Sequence, residues 1–429
     1  MNRFVISSLS LLISGGQSFA AESAVAPGNS LIVFHAPSIN ENYYAPKFDE
    51  LLQFYRDFVN VAHRRDFPLI VTDAATRPSL EALIDSENLI TGSARDIWVR
   101  DFGPISTTRG VFKARYRPNY LPAEDAAWIE EGFNRFFPAL KIPVQKLNLI
   151  IDGGNFVGNG GSKAVITSRV LEDNPSLTEA QIRTIFRDQL GVTELAIIPP
   201  EAADTTGHAD GMVHWLATDI LAVNRYFGGF RTQVRNSLTQ QLPGVTLVEV
   251  PWNPTNRVWR DFADSTGVYV NAMNTPNAIY VPQYGLNTDA AALAAFRDHA
   301  DRPVIGVPVS PDIAIMGGAA RCLCWQVSGP AAANAPIPEI PLPDYSAAVQ
   351  DLSVRIDSSS QVEVSWRIEG VPDGPETIFL ACRIQRSSDL FSWINVGNEI
   401  PASGASANHQ VSLSGADAVG FYRIALNAE

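Results

Sequence analysis

Cysteine is scarce in this sequence, with 3 residues among 429. A small and odd number of cysteines excludes a scaffold held together by disulfides. Positive charge is also in short supply, because 32 Lys and Arg stand against 45 Asp and Glu, giving a net charge of −13. Without a long Lys or Arg cluster the chain lacks the basic surface that nucleic acid requires, so nucleic acid is not an expected partner.

Long apolar runs are missing after residue 20, so no membrane span is expected. The composition is otherwise that of a folded globular protein, with 46% hydrophobic and 18% charged residues. Such a composition excludes a disordered or collagen-like chain. At roughly 100 to 200 residues per domain, the length predicts two or three domains.

The first twenty residues have the features of a cleavable export signal. Arg3 supplies the charged start, residues 4–13 form a short apolar stretch, and residues 18–20 have the small-x-small pattern of a cleavage site. We therefore expect a signal peptide over 1–20 and a mature chain that is secreted, periplasmic or on the cell surface. An unpaired thiol in such a compartment requires a reason.

One change in composition divides the rest of the chain. Five prolines fall within residues 330–343, a density that is incompatible with a helix and typical of an extended linker. Beyond it, alternating apolar and polar residues predict short strands. The expected organisation is a main domain over 21–329, a proline-rich linker over 330–344 and a small immunoglobulin-like β-sandwich over 345–429.

The main domain contains five predicted helices, each followed by a short apolar strand. Apolar spacing places the helices at 47–65, 126–137, 178–190, 231–242 and 288–300, and the strands at 68–73, 144–150, 194–199, 245–250 and 302–309. The pattern recurs about every fifty residues. It predicts an α/β fold of five β-rich units with one helix each, closed radially or as a barrel and not arranged as an open doubly wound sheet.

Side chains capable of chemistry follow these strands, once in each unit. They are Asp101, Asn155, His208 with Asp210, Asn271 and Cys322. Taken singly, Asp101 could cap a turn, His208 could be structural and Cys322 could be a buried small residue. If the units surround an axis, however, these residues meet at one end of it. Together they indicate nucleophilic catalysis, and a thiol protease with Cys, His and Asn is equally compatible with them.

Five short motifs occur in order within residues 30–327. They are Trp98-x-Arg100-Asp101-x-Gly103-Pro104, Gly153-Gly154-Asn155, Gly207-His208-x-Asp210, Tyr269-Val270-Asn271 and Gly317-Gly318-Ala319-x-x-Cys322. This ordered set resembles the bacterial peptidylarginine deiminase and agmatine deiminase family. The resemblance implies a pentein fold, a five-bladed α/β propeller, and a hydrolase that acts on guanidino groups. The exported form with a C-terminal β domain is most similar to the secreted peptidylarginine deiminases.

The resemblance also implies how the reactive residues act. Asp101 and Asp210 would each hold the substrate guanidinium through paired N–H bonds. The Cys322 thiolate would attack the guanidinium carbon. His208 would protonate the departing ammonia and then activate water, and no metal or other cofactor is required.

Three further residues complete the implied site. Asn271 would be the polar residue beside the thiol. Trp98 would form an apolar wall along the stem of the substrate, although core packing is the commoner role of a tryptophan. Asn155, in the double-glycine motif, would contribute to substrate binding.

Two residues near the thiol depart from the family pattern. Arg321 stands where His is common, and its fixed positive charge would lower the pKa of the Cys322 thiol. Cys324 stands where Thr is usual, and along a strand it would point the same way as Cys322. The GGAxxC spacing favours Cys322 as the nucleophile, with Cys324 either buried or paired with Cys382.

The choice of substrate depends on the segment Arg115-Tyr116-Arg117-Pro118-Asn119. It resembles the R-x-R-P-N segment with which bacterial peptidylarginine deiminases hold the carboxylate of a C-terminal arginine, and two guanidinia are a sound clamp for a carboxylate. The alternative is a pair of solvated arginines on an edge strand.

The expected activity is therefore conversion of arginine to citrulline and ammonia, with an arginine-containing peptide or protein as substrate and arginine at its C-terminus preferred. One alternative is a deiminase of agmatine or another small guanidino compound. Others are an amidinotransferase, which needs an amine acceptor in place of water, and a non-catalytic module that binds arginine peptides.

Overall fold

The computed structural model describes residues 30–62, 65–92, 94–253, 255 and 257–328, and, as backbone only, six strands between residues 348 and 428. The predicted signal peptide and the predicted linker lie outside these residues. None of the helices described is long and apolar enough to cross a membrane.

Eighteen strands lie in the first part of the chain. They are β1 (Leu31–His35), β2 (Phe67–Thr72), β3 (Leu89–Thr91), β4 (Ile105–Thr107), β5 (Gly110–Arg115), β6 (Val144–Ile150), β7 (Val157–Gly158), β8 (Lys163–Thr167), β9 (Glu194–Ile198), β10 (Val213–Ala217), β11 (Ile220–Asn224), β12 (Thr246–Val250), β13 (Val258–Trp259), β14 (Phe262–Ala263), β15 (Met273–Asn274), β16 (Ile279–Gln283), β17 (Val304–Pro308) and β18 (Cys324–Val327).

The α-helices of the same part alternate with these strands. They are α1 (Phe48–Ala62), α2 (Arg77–Glu81), α3 (Val99–Phe102), α4 (Ala123–Phe136), α5 (Arg169–Asp173), α6 (Glu179–Ile185), α7 (Gly228–Gln241), α8 (Asp289–Arg297) and α9 (Pro311–Ala314). A π-helical turn over Phe186–Leu190 extends α6. The five helices and five strands predicted from apolar spacing are thereby confirmed, with ends that shift by a few residues.

Five sheets share one construction. In the sheets β4-β5-β6, β7-β8-β9, β10-β11-β12 and β15-β16-β17, the first two strands are antiparallel and the last two are parallel. A helical connection joins each parallel pair, as a parallel connection requires, and between β8 and β9 it consists of the two helices α5 and α6. The fifth sheet, β18-β1-β2-β3, pairs β1 antiparallel to β18 and parallel to β2. The described strands form separate sheets and not a closed barrel, which was one of the two kinds of closure expected.

Apolar helix faces pack these units together. In α1, Leu51, Phe54, Tyr55 and Phe58 recur at helical spacing and are buried. Phe58 lies 5.2 Å from the Tyr280 ring of β16, measured between ring centroids, so the helix of one unit contacts the sheet of another. Apolar contacts therefore cross from one unit to another.

Six further strands lie beyond residue 347: β19 (Ala348–Ile356), β20 (Val362–Glu369), β21 (Leu380–Ser387), β22 (Ile394–Ala402), β23 (Asn408–Leu413) and β24 (Phe421–Ala428). They form two antiparallel three-stranded sheets, β19-β20-β23 and β22-β21-β24. Within the described residues of this part, the prediction of strands is confirmed.

Candidate active site

A cavity of about 310 Å³ lies where loops from the five units meet. Six of the nine predicted site residues line it: Trp98, Asp101, His208, Asp210, Asn271 and Cys322. The loops that carry them follow the ends of β3, β9, β12 and β17, so the recurrence of reactive residues after the strands does bring distant side chains together. The three that do not line the cavity are Asn155, Arg115 and Arg117.

Cys322 lies in a turn at the bottom of this cavity, 8% exposed. Its Sγ accepts a hydrogen bond from Asn271 Nδ2 at 3.1 Å and lies 3.8 Å from Asp210 Oδ2. Burial, followed by the charges of Asp210 and Asp101, raises the pKa of the Cys322 thiol well above its ordinary value. The free site therefore holds a neutral thiol near pH 7.

Asn271 fixes the position of that thiol. Its Oδ1 accepts hydrogen bonds from the backbone N–H of Ala319 (3.1 Å) and of Cys322 (3.3 Å), while Nδ2 also donates to the Asp210 carbonyl at 3.3 Å. One side-chain amide thus joins the loop of the nucleophile to that of Asp210. Asn271, which was predicted as a polar neighbour of the thiol, therefore holds the Cys322 loop in place through these hydrogen bonds.

Asp101 presents a carboxylate with unused bonding capacity. It is 8% exposed, and its Oδ1 is a buried acceptor without a hydrogen-bond partner. Burial raises its pKa, and the nearby charges of Asp152 and Asp210 raise it further against the opposing effect of His208. Buried acceptors are rarely left without a donor, so Asp101 is poised for a ligand that brings N–H groups.

His208 lies between two carboxylates. Its Nε2 is 3.0 Å from Asp152 Oδ2 and its Nδ1 is 3.6 Å from Asp101 Oδ1. Burial alone would lower the pKa of His208, but Asp101 and the hydrogen bond with Asp152 outweigh burial and raise the pKa to about 10. The imidazole is therefore protonated near pH 7 and can act as a proton donor.

Asp152 and Tyr120 belong to the site but were not predicted from the sequence. The Tyr120 hydroxyl donates to Asp152 Oδ2 at 3.0 Å, the same oxygen that contacts His208. Asp152 directly precedes the Gly153-Gly154-Asn155 motif, and an acid next to a motif is the one signal that could have drawn attention to it. Tyr120 follows the RYRPN segment and carries no such signal.

Asn155 lies behind the cavity wall, 1% exposed. Its Oδ1 accepts from the Thr167 N–H (2.8 Å) and the Thr167 hydroxyl (3.0 Å). That hydroxyl also donates to the Gly207 carbonyl at 2.6 Å, directly before His208. Asn155 therefore supports the histidine loop, and its predicted contact with substrate stays a prediction.

Arg115 and Arg117 are exposed at and beyond the end of β5. The residues between and after them, Tyr116 and Tyr120, line the cavity. The arginine pair therefore belongs to a segment that lines the cavity, but neither arginine lines it.

Cys324 is a buried free thiol outside the cavity. The expectation that it points the same way as Cys322 does not hold, because residues 320–323 form a turn and strand alternation starts only at β18. Its Sγ lies 3.5 Å from the Arg321 carbonyl. This placement agrees with Cys322 as the nucleophile.

The lining of the cavity is rich in acidic residues. Besides Asp101 and Asp210, the lining includes Glu41, Asp96, Asp125, Glu201, Asp204 and Asp264. Arg95 also lines it, with its guanidinium 4.8 Å from the Trp128 ring centroid and 3.2 Å from Glu131. This distribution favours a cationic ligand. Among the residues described, no group of three His, Cys, Asp or Glu side chains is arranged to hold a metal ion.

Two glycines allow the reactive side chains to approach the backbone. A methyl group on Gly154 would lie 2.4 Å from His208 Nδ1 and 2.8 Å from Asp101 Oδ1. One on Gly318 would lie 2.5 Å from the Trp98 ring and 2.7 Å from Cys322 Cβ. Only hydrogen fits at either position without a shift of the side chains around the cavity.

Gly154→Ala is expected to lower kcat about a hundred-fold, because displacing reactive groups by about 1 Å has a cost of that size. Steady-state kinetics with far-UV circular dichroism would test this. Gly229→Ala, where a methyl group meets nothing within 4 Å, is the matched control and should keep normal kinetics. Unchanged kinetics in Gly154→Ala would mean that His208 and Asp101 need not hold these positions.

Comparison with known proteins agrees with this geometry. Residues 27–328 match the family described as Porphyromonas-type peptidyl-arginine deiminase. Among solved structures, an agmatine deiminase of C. jejuni is 19% identical with a TM-score of 0.59, covering 70% of this chain and 93% of its own.

Two further structures are similar. The agmatine deiminase of Enterococcus faecalis is 16% identical with a TM-score of 0.57, covering 73% of this chain and 98% of its own. A putative arginine deiminase from Porphyromonas gingivalis is 20% identical with a TM-score of 0.58, covering 70% of this chain and 96% of its own. At these identities the structures show a shared mixed α/β fold, that of the pentein deiminases. The family match extends over most of this chain, which therefore belongs to the Porphyromonas-type peptidyl-arginine deiminase family, whose members are hydrolases acting on guanidino C–N bonds.

Proposed function

We propose that this chain hydrolyses the guanidino group of a C-terminal peptide arginine to give citrulline and ammonia. The observation that carries the proposal is the meeting of Asp101, with its unpartnered buried oxygen, and Asp210, His208 and Cys322 in one cavity. Two carboxylates suit a planar guanidinium, which donates paired N–H bonds. A thiol beside one of them provides the nucleophile.

The reaction divides into two halves around Cys322. In the first, the Cys322 thiol loses its proton to solvent as the substrate binds, and Sγ forms a bond to the guanidinium carbon. His208 donates its proton to one amino group, and the C–N bond breaks to release ammonia and leave a thiouronium. In the second, water adds to the same carbon and gives a proton to His208. The C–S bond then breaks, which leaves the ureido group of citrulline and the free thiol side chain.

The charge of the substrate activates the thiol in this proposal. The pKa of Cys322 is raised first by burial and then by Asp210 and Asp101. A guanidinium held by these two carboxylates offsets their charge and adds a positive charge next to Sγ, so its binding lowers the thiol pKa. The nucleophile thus forms where the substrate is bound.

A thiolate titration tests this step. The absorbance at 240 nm of wild type minus Cys322→Ser should show a thiol that ionises only above its ordinary pKa, and added guanidinium chloride at sub-denaturing concentration should shift the titration to lower pH. Sodium chloride at equal ionic strength is the control. A thiolate already present at pH 7 without ligand would refute activation by substrate.

The position of Arg115 and Arg117 supports the terminal carboxylate as part of the substrate. Both arginines are exposed, and Tyr116 and Tyr120 of the same segment line the cavity. An arginine side chain that enters the cavity leaves its own carboxylate outside, where these arginines can bind it.

Arg115→Ala combined with Arg117→Ala is expected to lower kcat/KM for peptides ending in arginine by roughly ten- to a hundred-fold, the value of one lost charge-assisted hydrogen bond. Activity on the same peptides with an amidated end, and on agmatine, should be unchanged. Citrulline and ammonia formation would be measured for each substrate.

The control for that double variant is Arg187→Ala combined with Arg297→Ala, which removes the same charge from other exposed positions. Equal loss on all substrates would indicate a folding role for Arg115 and Arg117. Robust wild-type turnover of agmatine with none of peptides would overturn the peptidyl assignment.

Agmatine is the second candidate, and the acidic lining of the cavity favours it. Agmatine carries an ammonium as well as a guanidinium, and Glu41, Asp96, Glu201 and Asp204 have no ion pair with a basic side chain among the described residues. The substrate panel used for Arg115 and Arg117 distinguishes the two candidates.

The finer architecture and location belong to the same proposal. The repeated construction of five sheets, with β1 pairing to β18 so that the ends of the domain meet, supports a five-bladed pentein propeller. The two C-terminal sheets support a sandwich. The apolar segment after Arg3 supports export to the periplasm or beyond, which N-terminal sequencing of the mature protein would test.

A further inference from the structure

A second cavity, of about 520 Å³, lies behind the catalytic residues. Asp101 and Cys322 line the substrate cavity, whereas the preceding residues, Arg100 and Arg321, line this one. The two cavities therefore share a wall made of the same two loops.

The charge of the second cavity is opposite to that of the first. Arg100, Arg302 and Arg321 line it, and of the described lining residues only Asp301 carries a carboxylate. Arg302 donates to Asp301 at 2.7 Å. The other two guanidinia are nearly fully buried, each 6% exposed.

These two buried guanidinia have one carboxylate between them. Arg321 Nε lies 3.3 Å from Asp210 Oδ2 without making a hydrogen bond, and Nη2 donates to the Phe156 carbonyl at 2.7 Å. Arg100 donates to Gln326 and to the Arg321 carbonyl, and within the described part of the chain no carboxylate lies within ion-pair distance of it. Buried charges normally have a counter-charge. The two guanidinium groups therefore lack one negative charge that would neutralise them.

The electrostatic effect reaches neighbouring groups. Burial and then the charge of Arg100 lower the pKa of Arg321 to about 10. Burial, followed by Arg321 and Arg302, lowers the pKa of His214, which lines the same cavity, to about 3. Three cationic side chains thus line one cavity.

We propose that this second cavity binds a small oxyanion of the size of inorganic phosphate, held by the guanidinia of Arg100, Arg321 and Arg302. Guanidinium groups bind tetrahedral oxyanions through charge-assisted hydrogen bonds. The site is separate from the one that binds the substrate guanidinium, and its existence does not depend on the proposed reaction.

Isothermal titration of the full chain with inorganic phosphate, at ionic strength held constant with sodium chloride, tests the site. One saturable phosphate per chain is expected, and Arg302→Gln should weaken it about ten-fold, the value of one charge-assisted hydrogen bond. Arg297→Gln removes the same charge from an exposed position on α8 and should bind as wild type does. Arg321→Gln, with its fold checked by circular dichroism, should lose measurable binding.

The outcomes separate clearly. Absence of saturable binding in wild type, or equal weakening in Arg302→Gln and Arg297→Gln, overturns the proposal, the latter because only net charge would then matter. If Arg321→Gln does not fold, the comparison of Arg302 with Arg297 still decides.

Coupling to the first cavity follows through Arg321 and Asp210, and this consequence rests on the proposed function. An anion on Arg321 reduces repulsion between that guanidinium and the substrate cation at Asp210. In Cys322→Ala, phosphate and a C-terminal arginine peptide should each tighten the other's binding by the same factor. Failure of the peptide to bind at all would refute the proposed function and leave phosphate binding intact.

Discussion

Cys322→Ala is expected to lower ammonia and citrulline formation by at least about ten-thousand-fold while the protein stays folded. Removing the nucleophile of a covalent mechanism has effects of this order or larger, because the remaining groups cannot form the intermediate. The change is structurally mild, since alanine is smaller than cysteine and the loop is still held by Asn271 through the backbone N–H groups of Ala319 and Cys322.

Cys324→Ala is the matched control for that variant. Cys324 is the other free buried thiol of the described residues and lies two positions along the same chain, but it is outside the cavity. It should keep kcat within a few-fold of wild type. An inactive Cys324→Ala with an active Cys322→Ala would show that the nucleophile is assigned to the wrong thiol. Product formation and circular dichroism of both variants decide this.

Apolar spacing predicted the helices well because the buried face of a helix repeats with its turn. Thr178 and Gln181 form a reciprocal capping box at the start of α6, one residue after the predicted start of that helix at 178. The C-terminal half of the same segment becomes a π-helical turn that ends at Gly191 in a left-handed conformation. Apolar spacing alone does not distinguish 3.6 residues per turn from a wider turn.

The site was predicted from reactive residues that follow the ends of strands, and this prediction succeeded for a geometric reason. Residues after the parallel strands of repeated units fall at equivalent places, so Asp101, His208 and Cys322 meet although they are far apart in sequence. Asp152 escaped prediction because its role arises from a contact with His208, 56 positions away. A single sequence does not reveal which of 45 acidic residues makes such a contact.

Side-chain direction is the property that the sequence motifs specify least. Asn155 ends a 3₁₀ turn over Gly153–Asn155, which directs its amide to Thr167 behind the wall. The alternation rule failed at Cys322 and Cys324 for a related reason, because a turn and a strand meet between them. Both cases depend on backbone conformations that the motifs themselves do not specify.

Asp101→Asn and Asp210→Asn are each expected to lower kcat/KM by roughly 2 to 5 kcal/mol of lost stabilisation, or about thirty- to several-thousand-fold, because each leaves a buried substrate cation with half of its counter-charge. Asp125→Asn, which removes an acidic side chain from the same cavity lining, is the control and should have a small effect. Nearly normal kinetics in Asp101→Asn would show that the motif around Trp98, Arg100 and Asp101 is only a structural turn.

The two substitutions should nevertheless change different pKa values, because the neighbours of Asp101 and Asp210 differ. Asp101 is the leading charge that raises the pKa of His208, so Asp101→Asn should lower that pKa and shorten the pH range in which the imidazole is a proton donor. Asp210 has a weaker effect on His208 but is the leading charge that raises the pKa of Cys322, and it is the carboxylate beside Arg321. Asp210→Asn should therefore lower the thiol pKa and leave Arg321 facing the substrate cation with no carboxylate beside it.

Nuclear magnetic resonance of the His208 ring and absorbance at 240 nm would measure the two pKa values. Equal shifts of both groups in both variants would contradict this separation of roles, since the acids would then act only as undivided negative charge.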